Sequence, residues 1–114
     1  MLDTRHVVFL LQALTQGELV SCYLRTTREL EPEELSALYR ERYADEPFVE
    51  VADSPPGVSE VRETNRCRIF VAADEESGRV MAFAAIDNLW KGAASQAVQN
   101  LNLMLGLPEG EGIS

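Results

Sequence analysis

Apolar and polar positions divide the chain into short segments whose periods change along its length. After Gly17, residues 18–25 set Leu19, Ser21 and Tyr23 on one side and Val20, Cys22 and Leu24 on the other. This period of two predicts a strand with at least one buried face. From Pro32 the apolar positions become Leu35, Leu38 and Tyr39, one face of an amphipathic helix with proline in its first turn. Glu33 and Glu34 fall near its start and Arg40 and Arg42 near its end, the arrangement a helix dipole favours by about 0.3–1 kcal/mol per charge. The apolar run before Gly17, residues 7–14, lacks clean alternation and fits either a buried strand or a short helix.

Residues 45–47 end the helix, 48–51 suit a short strand, and Ser54-Pro55-Pro56-Gly57 is a stiff loop that no central strand accommodates. Two β-rich runs follow, 67–72 and 79–86, joined by a polar connection ending in Gly78, as a hairpin requires. Asp87 then caps a long helical segment, 88–105, in which Trp90, Ala94, Val98, Leu101 and Leu105 recur at helical spacing. Gly106 stops it, Pro108 prevents a restart, and the small acidic tail is expected to fray. This order predicts an α+β fold: a mixed, largely antiparallel sheet with two helices packed on it.

At 114 residues the chain accommodates one domain or part of one, and too little for a two-domain oxidoreductase. A net charge of -9, with ten scattered Lys and Arg, argues against nucleic acid. No apolar run approaches the roughly 20 residues that cross a bilayer, so the expectation is a cytoplasmic protein with no membrane partner. Cys22 and Cys67 have no CxxC spacing, and His6 is the one histidine, so no metal set is expected and both thiols read as reduced and structural.

The string from Ala85 to Pro108 carries the most specific signal. Small residues, Gly92, Ala93, Ala94, Ser95 and Ala97, crowd its first turns. They suit either close packing on a sheet or the approach of a flat ligand or an anion to a helix start. The groups Asp87-Asn88-Leu89, Lys91-Gly92-Ala93-Ala94 and Gln96-Ala97-Val98-Gln99-Asn100 resemble the C-terminal signature of N-acetyl-gamma-glutamyl-phosphate reductases. Upstream, Pro55-Pro56, Val61, Thr64-Asn65 and Cys67 are similar to that family's loop, as is the run from Tyr43 to Val49. Leu107-Pro108 and the Glu-Gly tail match its ending, so the resemblance covers about residues 15–114.

The resemblance implies an NADPH-dependent enzyme of the semialdehyde dehydrogenase superfamily, serving arginine biosynthesis. In it a cysteine thiolate attacks an acyl phosphate, phosphate leaves, and hydride reduces the thioester to an aldehyde. It further implies that residues 1–114 are the C-terminal part of a catalytic and dimerisation domain. Helix 88–105 would return to an N-terminal Rossmann portion supplied in cis or in trans, and a homo-oligomer is expected. The family's Gly-rich fingerprint, its Gly-Cys-Tyr nucleophile and its histidine segment have no counterpart here, so no catalytic residue is assigned and the isolated chain is expected to be inactive.

By the same resemblance Asn88, Lys91 and Gly92 are candidates to lie near the nicotinamide and phosphates of NADP, with Asn65 a candidate for shaping the substrate loop. The plain alternatives are a helix-start residue bonded to local backbone for Asn88, a solvated side chain for Lys91 and a turn residue for Asn65. Departures from the family include the leader 7–17, Glu63 where glycine is usual and Ser95 for the second glycine of the helix signature. With Met1 falling inside a domain, they suggest a truncated or decayed coding region or a piece of a longer chain. A stand-alone dimerisation or interaction module is the alternative function.

Overall fold

The computed structural model describes residues 2–113, with side chains given for Val8, Leu10, Leu11 and from Leu14 onward. His6 lies outside the described side chains. Five strands, β1 (Leu2–Ala13), β2 (Glu18–Thr26), β3 (Val49–Val51), β4 (Cys67–Asp74) and β5 (Arg79–Ile86), form one sheet in the order β1-β2-β5-β4-β3. All neighbours are antiparallel except β3 and β4, which run parallel. The ambiguous leader is therefore a strand: β1 pairs along β2, with a bulge between Asp3 and Val8, and this pairing settles what its apolar pattern left open.

Helix α1 (Pro32–Arg42) crosses β4 and inserts Leu35 between Val71 and Val80, with Leu24, Ile69 and Ala82 around them. Leu35 is 4 % exposed, a burial worth about 2 kcal/mol. Strand alternation turns Tyr23, Phe70, Met81 and Phe83 to the opposite face. There Tyr23 meets Phe83 edge-on at 6.4 Å and Phe70 stacks on Phe83 at 6.1 Å, all half-buried. Among the described residues the buried cluster lies on the α1 side of the sheet.

After Ile86 the chain enters a π-helical turn (Trp90–Ala94) and then α2 (Ser95–Leu105). The π register shows in Gly92 N–H donating to Asp87 O at 2.9 Å and Ala94 N–H to Leu89 O at 3.2 Å, each five residues back. Gly106 closes α2 in the left-handed region at φ 69°, as its sequence position required. The tail does not fray as expected. Asn102 Nδ2 donates to the carbonyls of Glu109 and Glu111, both at 2.9 Å, and Gln99 Nε2 to Glu109 Oε1 at 2.6 Å, folding the tail back on the helix.

Candidate functional site

The site forms where β5 ends, because three segments distant in sequence meet one buried carboxylate. Asp87 is 0 % exposed. Its Oδ1 accepts from the N–H groups of Leu89 (2.8 Å) and Trp90 (3.1 Å), capping the closing helical segment. Its Oδ2 accepts from Gln16 Nε2 at 3.0 Å and Glu63 N–H at 2.8 Å. Burial pushes this carboxyl up, but the three backbone N–H groups and Gln16 outweigh it, and the pKa lies below its ordinary value.

Asn88 extends the same junction, with Oδ1 accepting from Gly17 N–H at 2.7 Å. Gly17 sits at φ 111°, and a Cβ there would come 2.8 Å from Val58 Cβ, so only glycine fits the turn. Arg62 Nε donates to Gln16 O at 3.0 Å, tying the loop after Val58 to that turn. Glu63 is the one non-glycine with positive φ among the described residues, at 57°. Its N–H bond to Asp87 holds it there, which gives a physical reason for glycine at that position in the resembled family.

Lys91 is half-buried. Its Nζ donates to Gln96 Oε1 at 2.8 Å and Gln99 Oε1 at 2.7 Å and lies 5.8 Å from the centre of the Phe48 ring. Gly92 is exposed on the surface with Ala93 and Ala94, while a Cβ on it would press 3.2 Å from Ile86 Cδ1. Asn88 and Lys91 therefore spend polar atoms inside the protein, and Asp87 takes the N–H groups of Leu89 and Trp90. What faces outward is the small-residue surface of Gly92, Ala93 and Ala94. Burial pushes the Cys22 and Cys67 thiols up, partly offset at Cys67 by the Lys91 charge, so neither is an activated nucleophile.

Helix α2 is inverted relative to its expected polarity. Its buried positions are Ser95, Gln99 and Asn102, whereas Leu101, Leu103, Met104 and Leu105 are 53–82 % exposed. Asn65, buried at 2 % exposure, does come to the helix start: with Leu89, Trp90, Ala94, Ser95, Val98 and Ile113 it lines a cavity of about 310 Å³. Asn88, Lys91 and Gly92 stand outside that lining.

Residues 4–88 match the family model described as "Semialdehyde dehydrogenase, dimerisation domain". The chain belongs to this family. Curated relatives named N-acetyl-gamma-glutamyl-phosphate reductase align through their C-terminal part. That of Thermus thermophilus is 49 % identical over 96 residues, covering 84 % of this chain and 28 % of the relative. Those of Geobacter sulfurreducens and Desulfotalea psychrophila are 47 % and 46 % identical, covering 90 % and 88 % of this chain and 30 % of each relative. The chain thus spans less than a third of the length of these relatives. Among solved structures, an aspartate semialdehyde dehydrogenase II from Vibrio cholerae, complexed with ASA, superposes with a TM-score of 0.60 at 20 % identity, over 80 % of this chain and 27 % of that one. That likeness concerns the fold.

The semialdehyde dehydrogenase dimerisation-domain match stops at Asn88, so the π turn and α2 lie beyond it. Of the residues singled out in the sequence, the fold gathers Asn65 with the helix start and leaves Asn88 and Lys91 as internal ties. Sequence reading gave Asp87 only its helix cap and passed over Gln16 altogether, because their bond joins residues 71 apart. A usable signal existed in the polar stripe Ser95, Gln99, Asn102, whose helical spacing marks one face.

Proposed function

We propose that this semialdehyde dehydrogenase dimerisation-domain chain is the C-terminal portion of an NADP-dependent reductase acting on N-acetyl-glutamyl 5-phosphate in arginine biosynthesis. It works joined to, or complemented by, an N-terminal Rossmann portion, and is inactive alone. The substrate assignment rests on the name of relatives 44–49 % identical to it. The observation that carries the partner assignment is the inverted closing helix. An apolar stripe of Leu101, Met104 and Leu105 at more than half exposure is costly in water and calls for a covering surface.

In this reading Gly92, with Ala93 and Ala94, is the flat approach for the NADP nicotinamide, which supplies hydride when bound. Asn88 and Lys91 position that surface from beneath, and Asn65 shapes the adjoining loop. The protein's own contribution here is orientation and exclusion of water.

The test is complementation. The chain alone should show no NADPH oxidation with the acyl phosphate; mixed with the N-terminal portion of a relative, it should restore turnover. The double change Leu101→Glu and Leu105→Glu should abolish that restoration while leaving the circular dichroism spectrum intact. Unchanged complementation by that variant would refute the docking role of α2. The alternative function, a self-associating module, is favoured by one separate observation, the half-buried aromatic cluster of Tyr23, Phe70 and Phe83 on the sheet face opposite α1. Sedimentation should then give a dimer of the chain alone, reduced to monomer by Phe83→Glu.

A further inference from the structure

Gln99 is the largest fully buried side chain among the described residues, and it sits between two opposite charges. Its Oε1 accepts from Lys91 Nζ at 2.7 Å, and its Nε2 donates to Glu109 Oε1 at 2.6 Å. One amide thus turns its acceptor to an ammonium and its donors to a carboxylate, joining a cation in the π-helical turn to an anion in the tail. The end of α2 does not require this bridge, because Gly106 and Leu107 N–H groups already reach its last carbonyls. Phe48 gives turn and tail a second shared support. Lys91 Nζ lies 5.8 Å from the centre of its ring, and a Cβ added to Gly110 would meet its Cζ at 3.4 Å.

We infer that Gln99 and Glu109 are positioning residues for the turn Trp90–Ala94, so that the C-terminal tail sets how the surface of Gly92, Ala93 and Ala94 receives the cofactor. The inference rests on the reading of that surface as the NADP approach and adds to it two residues remote in sequence. Among the described residues of the turn, Lys91 is the one whose side chain hydrogen-bonds the rest of the chain, so its anchor holds the turn in place. Of its two acceptors, Gln96 is half-buried and donates onward to the exposed Asn100 at 3.0 Å, whereas Gln99 is fixed on its far side by Glu109. Asn102 in turn places Glu109 by donating to its carbonyl at 2.9 Å. Without the Glu109 carboxylate, the Gln99 amide is free to rotate and present its NH₂ group to Lys91, donor against donor.

Two measurements test this, one on the chain alone and one on the complemented enzyme. Gly92 and Ala94 N–H close the π-helical hydrogen bonds, so their hydrogen exchange reports on the turn directly. In Glu109→Ala that exchange should run about tenfold faster, the equivalent of one hydrogen bond to a charged group. Mixed with the N-terminal portion of a relative, the same variant should raise KM for NADPH about fivefold and leave kcat unchanged, the mark of binding lost equally before and during the reaction. Glu109→Gln keeps an acceptor for Gln99 Nε2 and should recover most of both effects. Gln99→Glu keeps an acceptor for Lys91 but repels Glu109, so exchange should quicken at Ile113 and stay native at Gly92 and Ala94.

A bridge that only fastens the tail gives a different result: in Glu109→Ala, exchange would quicken at Glu111 and Ile113 alone, with KM for NADPH unmoved, and the inference would be overturned. Glu109→Gln behaving like Glu109→Ala would remove the assigned hydrogen bond, and quickened exchange at Gly92 in Gln99→Glu would remove the role of the amide. Failure of the native chain itself to restore turnover is a separate outcome. It would sink the reductase reading and with it the cofactor role, while exchange at Gly92 and Ala94 would still decide whether tail and turn are coupled.

Discussion

Replacing Asp87 by Asn tests the junction on which the site is built. The amide keeps one oxygen for the N–H groups of Leu89 and Trp90, but it turns an NH₂ group toward Gln16 Nε2 and Glu63 N–H, both donors. Two bonds to a charged acceptor are lost in a fully buried place, and each such loss costs about 1–3 kcal/mol. The expected destabilisation is about 3 kcal/mol, with the urea midpoint falling by about 2 M and the melting temperature by about 12 °C. Asp87→Ala, which loses all four bonds, should cost more.

The pH dependence follows from the same carboxylate. Its folded pKa is below the unfolded value of about 3.9. Its stabilisation is therefore complete above that unfolded value and is lost as pH falls through the folded one. The native chain should lose more stability over this acid range than Asp87→Asn, which keeps only the losses of its other lowered carboxyls such as Glu34, Glu60 and Asp74, so the gap between them narrows. Urea unfolding at pH 7 and at a series of acid pH values measures both effects. If Asp87→Asn unfolds within about 0.5 kcal/mol of the native chain at pH 7, the junction is not what holds these segments together.

Three further outcomes are expected. Gly17→Ala should destabilise by about 2–3 kcal/mol, since it combines a positive φ with a Cβ 2.8 Å from Val58 Cβ; adding Val58→Ala should recover only the steric part in thermal melts. Glu63→Gly should raise stability by about 1 kcal/mol by relieving the left-handed backbone at φ 57°, and a fall in melting temperature would contradict this. Lys91→Met removes the donor to Gln96 and Gln99 and should loosen the tail that Gln99 and Asn102 hold; amide exchange at Glu111 and Ile113 should rise about tenfold for a loss of about 1.4 kcal/mol.

The sequence by itself determined the local elements. Alternation marked β2; β-rich runs around a polar connection ending in Gly78 marked β4 and β5; Pro32 and the spacing of Leu35 and Tyr39 marked α1; Gly106 fixed the end of α2. Each is a property of a few adjacent residues, where backbone preference and side-chain period act without knowledge of the rest. The order of the segments also carried the α+β class, and the string around Asn88 to Asn100 carried the family.

Only the tertiary structure decided the rest. The leader became a strand because β2 offered its edge, a choice that its own apolar run did not contain. Repeating Trp90, Ala94, Val98, Leu101 and Leu105 looked like a core-facing stripe, yet the fold buries the polar Ser95, Gln99 and Asn102 instead. The tail supplies Glu109 and the carbonyls that satisfy Gln99 and Asn102, and no local pattern records that partnership. The role of Asp87 as a hub likewise depends on donors from Gln16 and Glu63. A buried charge is tolerated only where its partners converge, and convergence of distant segments is a fact of three dimensions.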